Sequence, residues 1–313
     1  MEMKEKYDLT PEEFEKSLKM AELAVFMNAQ KSNRPTSVFV VSQPGAGKTG
    51  LKTYIKQEYK KSDLQGSFIE FDPDVIALYH KHYNAILREF PNESYRLLQK
   101  FVLPALDENL RYKAVEYRTN IAQEGTFGST LGYLRILDFQ KNGGELPFKK
   151  GKKVEGNYFI DINVLAVHRF ESLLSAYERE QYDYIENGLN PRVVTPVNHD
   201  RAYRNIIETL KIIEQNGLYS RIRVFRRGKT ANTPEPIYQL GDPQYQNSAQ
   251  ALIAEREKNK QELLVNAQIY LQRIKTLRER IKSNKTISQS QLDRLNELEE
   301  EFLRELKANE TQR

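Results

Sequence analysis

Ser37-Val38-Phe39-Val40-Val41-Ser42-Gln43-Pro44-Gly45-Ala46-Gly47-Lys48-Thr49 decides how this chain folds. The run through Val41 is the pattern of a strand covered on both faces. It stops at a glycine-rich turn, and a helical stretch follows near 48–61. Strand, turn and helix closing on G-x-x-x-x-G-K-[ST] place backbone N–H groups and a helix N-terminus around a phosphate. Gln43, Pro44, Gly45, Ala46, Gly47, Lys48 and Thr49 are therefore the expected nucleotide-binding residues. Lys48 would reach the β/γ-phosphates of ATP or GTP, and the Thr49 hydroxyl would ligate Mg²⁺. Ser42 stands where the pattern has its first glycine, but it is small, and Gly45 and Gly47 keep the part nearest the phosphates. A glycine turn that binds nothing is the bland alternative, and the flanking strand and helix speak against it.

Further strands are expected at Ser67–Phe71, Asn120–Gln123, Tyr158–Ala166 and Ile222–Phe225. Helical stretches near 75–117, 130–141, 168–187 and 198–216 separate them, so βαβ units and a mostly parallel sheet are predicted. A first helix spans 8–30, with Thr10, Pro11 and Glu13 as cap, first-turn proline and capping-box acid. Its apolar stripe is read as Phe14, Leu18, Leu23, Val25 and Phe26.

Of the 313 residues, 39% are hydrophobic and 29% charged, enough for a core with a very polar remainder. A mean hydropathy of −0.69 points to long solvated helices. The absence of cysteine excludes disulfides, thiolate zinc sites and thiol nucleophiles. No run approaches the roughly 18–20 apolar residues of a membrane span, so the expected location is cytoplasmic. A net charge of +5 suits a phosphate-rich ligand and is too mild to imply nucleic acid.

Lys141–Gly156 is a basic, glycine-containing insertion, too polar for core, and Lys229–Ser248 reads as an extended linker. Beyond it, 249–282 and 288–309 read as a helical hairpin, the second helix opening on a Ser288/Gln291 capping box. Leu263, Ala267, Tyr270, Ile274, Leu277 and Ile281 form a seam, continued by Leu292, Leu295, Phe302 and Leu306. Two isolated helices rarely bury enough surface to be stable, so the seam must find the body or another copy. The expected division is a body over 1–228, a linker over 229–248 and a hairpin over 249–313. A chain ending near Gly228 is expected to remain active.

The Gln-Pro-Gly-x-Gly-Lys-Thr loop after a short N-terminal helix resembles the zeta toxins, bacterial kinases that phosphorylate UDP-N-acetylglucosamine on the sugar. Four more stretches match in order over roughly 8–230. In Phe71-Asp72-Pro73-Asp74 the resemblance makes Asp74 the base that takes the sugar hydroxyl's proton; by itself it could equally cap the helix at 75. Glu108, in Leu106-Asp107-Glu108-Asn109, lies sixteen residues before Glu124, the family's spacing for a substrate-binding glutamate. Glu124-Gly125-Thr126 matches the stretch that orients the substrate near the metal, which assigns Glu124 and Thr126 to substrate and Glu124 also to Mg²⁺. Arg179 and Arg192, thirteen apart and followed by Pro196-x-x-His199-Asp200, match the arginines that clamp the transferring phosphate. The family's arginine four residues past the glutamate is Gly128 here.

These readings give an α/β fold, a P-loop kinase-like and mostly parallel sheet flanked by helices, with a C-terminal helical hairpin. The implied activity transfers phosphate from ATP or GTP to an alcohol of a nucleotide sugar, with a cognate antitoxin as partner. Gly128 and the inserted loop leave room for a different nucleotide-linked acceptor. A nucleotide-binding regulatory protein that works through its helical tail is the third reading. Asp74 argues against that one, because a switch needs no acceptor-side base.

Overall fold

The structure is a computed structural model that describes residues 6–61, 68–90, 97–98, 103–187, 193–228, 233–283 and 289–311. The side chains of 74, 103–105 and 183–187 also lie outside the description. Strand β1 (Thr36–Val41) is buried along its whole length. It pairs in parallel with β3 (Asn120–Gly125) on one side and β6 (Phe159–Ala166) on the other. β2 (Phe68–Phe71) adds to β3 and β7 (Arg221–Arg226) to β6, both parallel, and β8 (Glu235–Gln239) closes the far edge antiparallel to β7. The six-stranded order is β2-β3-β1-β6-β7-β8. The expected mostly parallel α/β sheet is therefore present.

Among the described residues, eleven helices surround it. α1 (Pro11–Phe26) starts on the expected capping box of Thr10 and Glu13. Its core-facing residues are Phe14, Ser17, Leu18, Ala21 and Val25, while Leu23 is 65% exposed and falls off the expected stripe. α2 (Lys48–Lys61) leaves the glycine turn as predicted. The single helical stretch expected over 75–117 is instead α3 (Pro73–Ala77), α4 (Tyr83–Glu89) and α5 (Leu103–Tyr117). A turn at His80–His82 divides the first two, with the His80 ring accepting from the His82 N–H. α6 (Thr130–Asn142), α7 (Arg169–Asn187) and α8 (Pro196–Gln215) follow close to expectation.

The insertion, expected as a polar loop, carries a short hairpin. β4 (Gly144–Glu145) and β5 (Lys153–Val154) pair as a hairpin, and Leu146 between them is buried. Lys149 and Lys152 both bond Glu116 of α5, so the lysines pin the flap to the body.

The C-terminal region departs most from the sequence reading. The segment expected as extended linker contributes β8, whose Tyr238 is buried. The hairpin is three helices: α9 (Ser248–Val265), α10 (Ala267–Ser283) and α11 (Gln289–Thr311). Asn266 makes the extra break, its backbone N–H and side-chain amide both donating to the Glu262 carbonyl. Ser288 of the expected cap lies outside the described residues. The apolar seam is real, and its partner is the body. Tyr270, Ile274, Leu277, Ile281, Leu295 and Phe302 pack with Phe170, Leu173, Leu174 and Tyr177 of α7. Ala251 and Leu252 of α9 belong to the main core.

One charge sits inside the sheet. Asp161 of β6 is fully buried, accepts from Arg221 at 2.8 and 2.9 Å and from Tyr59 at 2.9 Å, and faces Arg223 at 3.3 Å. Burial alone would raise its pKa, but the Arg221 bonds and the Arg223 charge outweigh that and hold it below the ordinary value. Breaking a buried pair costs about 3–5 kcal/mol, and Glu58, which faces Arg221 at 3.6 Å and Arg223 at 2.9 Å, keeps part of the arginine charge paired. Asp161→Ala should lower unfolding stability by about 3 kcal/mol in urea titrations, and a loss under about 1 kcal/mol would show that Glu58 and water suffice for the arginines.

Candidate active site

Parallel pairing brings three strand ends together. Val41 lies opposite Gly125 of β3 and Val164 of β6, so the turn after β1 leaves the sheet beside both neighbours. The Ser42 N–H donates to the Gly125 carbonyl, joining the glycine turn directly to Glu124-Gly125-Thr126. Gly45 and Gly47 have φ of 77° and 93°, the left-handed region that glycine occupies without strain. A Cβ on Gly45 would lie 1.9 Å from the Ser172 carbonyl, so α7 rests on the loop itself.

Lys48 opens α2 and folds back, donating to the Ser42 and Gln43 carbonyls at 3.1 and 3.2 Å. Burial pushes its ammonium down to about 8, with Glu124 pulling it up and Arg179 adding to the fall. Arg179 on α7 is half-buried, and its Nε makes no hydrogen bond. Arg227, just past β7, has its guanidinium 3.7 Å from where a Gly47 Cβ would stand and is paired with Glu171. Several cations thus converge on the loop with few local acids. That is an electrostatic site for phosphates.

Glu124 stands on the other side of the same seam. It bonds Lys52 at 3.0 Å and lines a 410 Å³ cavity with Pro73, Asp107, Glu108, Arg111 and Arg135. Glu108 and Glu124, paired by sequence spacing, therefore share one cavity wall. Asp74 follows the cavity-lining Pro73 in α3, and its side chain lies outside the described residues, as does all of Arg192. The Thr126 hydroxyl accepts from the Gly128 N–H and shapes the turn after β3. Gly125 leaves room for Tyr133, whose hydroxyl would be 2.8 Å from an added Cβ.

Several residues of the site escaped the sequence reading. Lys52 lies one helical turn after Lys48 on the same face, a spacing that could have flagged it. Its other partner is Glu70 at 3.2 Å. Gln43, expected as a nucleotide-loop residue, has its side chain fully engaged with protein: it donates to the Val167 carbonyl and Ser172 and accepts from Ser42 and Arg256. His199 and Asp200 also build rather than touch ligand. His199 bonds Ser172 at 2.8 Å, and Asp200 accepts from Arg169 at 2.7 Å.

Thr49 is exposed at the loop end, and among the described residues no three His, Asp or Glu side chains converge as a metal site. Magnesium that travels on nucleotide phosphates needs only one or two protein oxygens. The Thr49 hydroxyl and Glu124 carboxylate match that modest requirement.

A phosphate loop at the carboxyl edge of a parallel sheet, with an acid-lined cavity beside it, defines a P-loop α/β protein of the kinase type. The chain belongs to the zeta toxin family, a family of toxin kinases, whose model matches residues 22–233. Toxin PezT of Streptococcus pneumoniae is 25% identical over 223 residues, covering 71% of this chain and 81% of PezT. Toxin zeta of Streptococcus agalactiae is 24% identical over 228 residues, 70% of each chain. A solved structure from the PezAT chromosomal toxin–antitoxin system of S. pneumoniae superposes with a TM-score of 0.64 at 20% identity, over 87% of this chain and 98% of that one. Among the described residues no helix is long and apolar enough to cross a membrane.

The lowered Lys48 pKa gives nucleotide binding a pH signature. A phosphate prefers the charged lysine, so affinity should hold below about pH 7 and fall above about pH 8, by at most about tenfold per unit for one proton. Calorimetric titration with nucleotide checks this. Lys48→Arg, charged throughout, should flatten the curve, and a slope that persists there would assign the titration to another group.

Proposed function

We propose that this protein transfers the γ-phosphoryl group of ATP or GTP to a sugar hydroxyl of a nucleotide sugar such as UDP-N-acetylglucosamine. The observation that carries the reading is the position of Glu124. It feels the loop lysine on one side and lines the Glu108 cavity on the other. Donor and acceptor sites therefore meet at one strand end.

In this reading the donor phosphates lie in the loop of residues 43–49. Lys48, Arg179 and Arg192 neutralise the charge that spreads over the transferring group. Asp74 accepts the proton of the acceptor hydroxyl, whose oxygen forms the new bond to phosphorus as the bond to the β-phosphate oxygen breaks. Glu108, Glu124 and Thr126 hold and orient the acceptor. Thr49 and Glu124 would hold a magnesium ion, which would supply further charge neutralisation at the phosphates. The family's arginine is Gly128 here, and the exposed Arg135 lines the same cavity. Arg111 does too, but its charge is committed to Asp107 at 2.7 Å. Arg135 is thus the guanidinium left for a diphosphate-bearing acceptor. PezT comes from a toxin–antitoxin system, which supports an antitoxin as this chain's partner.

Purified protein with ATP or GTP, Mg²⁺ and a panel of nucleotide sugars should yield an acceptor heavier by one phosphate, read by mass spectrometry. Nucleotide hydrolysis without any phosphorylated sugar would overturn the acceptor assignment. Asp74→Asn should leave nucleotide affinity near normal and slow transfer by roughly 10²–10⁴-fold, the contribution of a placed general base. Collapse of nucleotide affinity would move Asp74 to the metal. Arg135→Ala should raise the acceptor KM by about tenfold, one charge-assisted contact, with nucleotide KM unchanged.

A further inference from the structure

The family match ends at residue 233, so β8 and the three C-terminal helices lie beyond it. One side chain from that region nevertheless reaches the phosphate loop. Arg256 of α9 is 3% exposed and donates to Gln43 Oε1 at 2.9 Å and to the Tyr203 carbonyl at 2.8 Å. Its guanidinium lies 3.7 Å from the centre of the Tyr203 ring. Among the described residues no carboxylate pairs with it, and its Nε has no hydrogen-bond partner. A buried, unpaired guanidinium is costly, and burial draws its pKa down to about 10. Such a group does not improve packing on its own account.

Its anchor is equally specific. The Gln43 amide uses both donors, to Val167 and Ser172, and both acceptor positions, from Ser42 and Arg256. Ser172 continues to His199, and His199 stacks on Tyr203 at 6.2 Å, closing a ring of side chains around Arg256. The same C-terminal region grips the helix that carries Arg179. Arg273 of α10 bonds Glu178 at 2.8 Å, and Arg294 of α11 bonds the buried Glu180 at 2.8 Å. Both neighbours of Arg179 are thereby held while its own Nε stays unbonded.

We infer that Arg256 is a positioning residue of the phosphate loop, acting through the Gln43 amide, so that the C-terminal helices complete the nucleotide site. On this inference a chain ending near Gly228 would bind nucleotide more weakly, against the expectation from sequence that it stays active. The inference rests on the loop binding nucleotide but not on the identity of the acceptor.

The test is a double-mutant cycle read with a fluorescent ATP analogue, alongside melting temperature. Arg256→Met and Gln43→Leu should each weaken analogue binding by about tenfold, and the double variant by little more than either, because both break one contact. Losses that multiply to about a hundredfold in the double variant, or wild-type affinity in a folded Arg256→Met protein, would overturn it. If Arg256→Met does not fold, Arg256→Lys is read instead, since lysine cannot span Gln43 and Tyr203 with a planar fork. A loss of about threefold or more at unchanged melting temperature then supports the inference, and wild-type affinity overturns it. Failure of the unmodified protein to bind the analogue would sink the nucleotide reading itself, a distinct result.

Discussion

The register of β1 between β3 and β6 is the constraint on which the site depends. Val41 is level with Gly125 and Val164, and the chain leaves the sheet there as a glycine turn. Shifting the β1–β3 pairing by one residue would turn Glu124 to the opposite face, because side chains alternate along a strand. The Ser42–Gly125 bond and the close seat of Gly45 under α7 then fix the turn from both sides. Phosphate chemistry at this edge follows from strand pairing before any side chain is considered.

On that frame the protein gathers positive charge that its neighbouring acids only partly offset, Arg227 being paired with Glu171. Lys48, Arg179 and Arg227 surround the turn, while Glu124 faces them from the neighbouring strand end. Burial is the main reason Lys48 holds its proton less firmly than a surface lysine, and repulsion from the nearby Arg179 charge adds to it while Glu124 opposes it. A highly charged anion relieves that repulsion on entry. Beside β6 and β7 the arrangement is the opposite, where Asp161 and Glu58 together balance Arg221 and Arg223.

The sheet and the phosphate turn were legible in the sequence because each is written in local spacing, and the Glu108–Glu124 pair was legible through the family resemblance. The strand at 159–166 was legible as well, but Asp161 within it was not, since its partners come from another strand and from α2. Leu23 departs from the α1 stripe for a related reason: apolar residues close in sequence share a face only at the spacing of 3.6 residues per turn, and Leu23 falls opposite Phe14, Leu18 and Val25. Gln43 and Arg256 are 213 residues apart, and no periodicity connects them. The tail's seam was readable, whereas its partner on α7 was not, because an amphipathic face states that something covers it and never what.

The central place of β1 also bears on how the chain reaches this state. Both of its neighbours are made long after it, near residues 120 and 160, and parallel pairing over such distances is slow to form. Until those strands arrive, Val38-Phe39-Val40-Val41 is an uncovered apolar segment with open hydrogen-bonding edges on both sides. The strand that ends up deepest in the protein is therefore the one most open to wrong association during synthesis, and chaperone capture would act on it first.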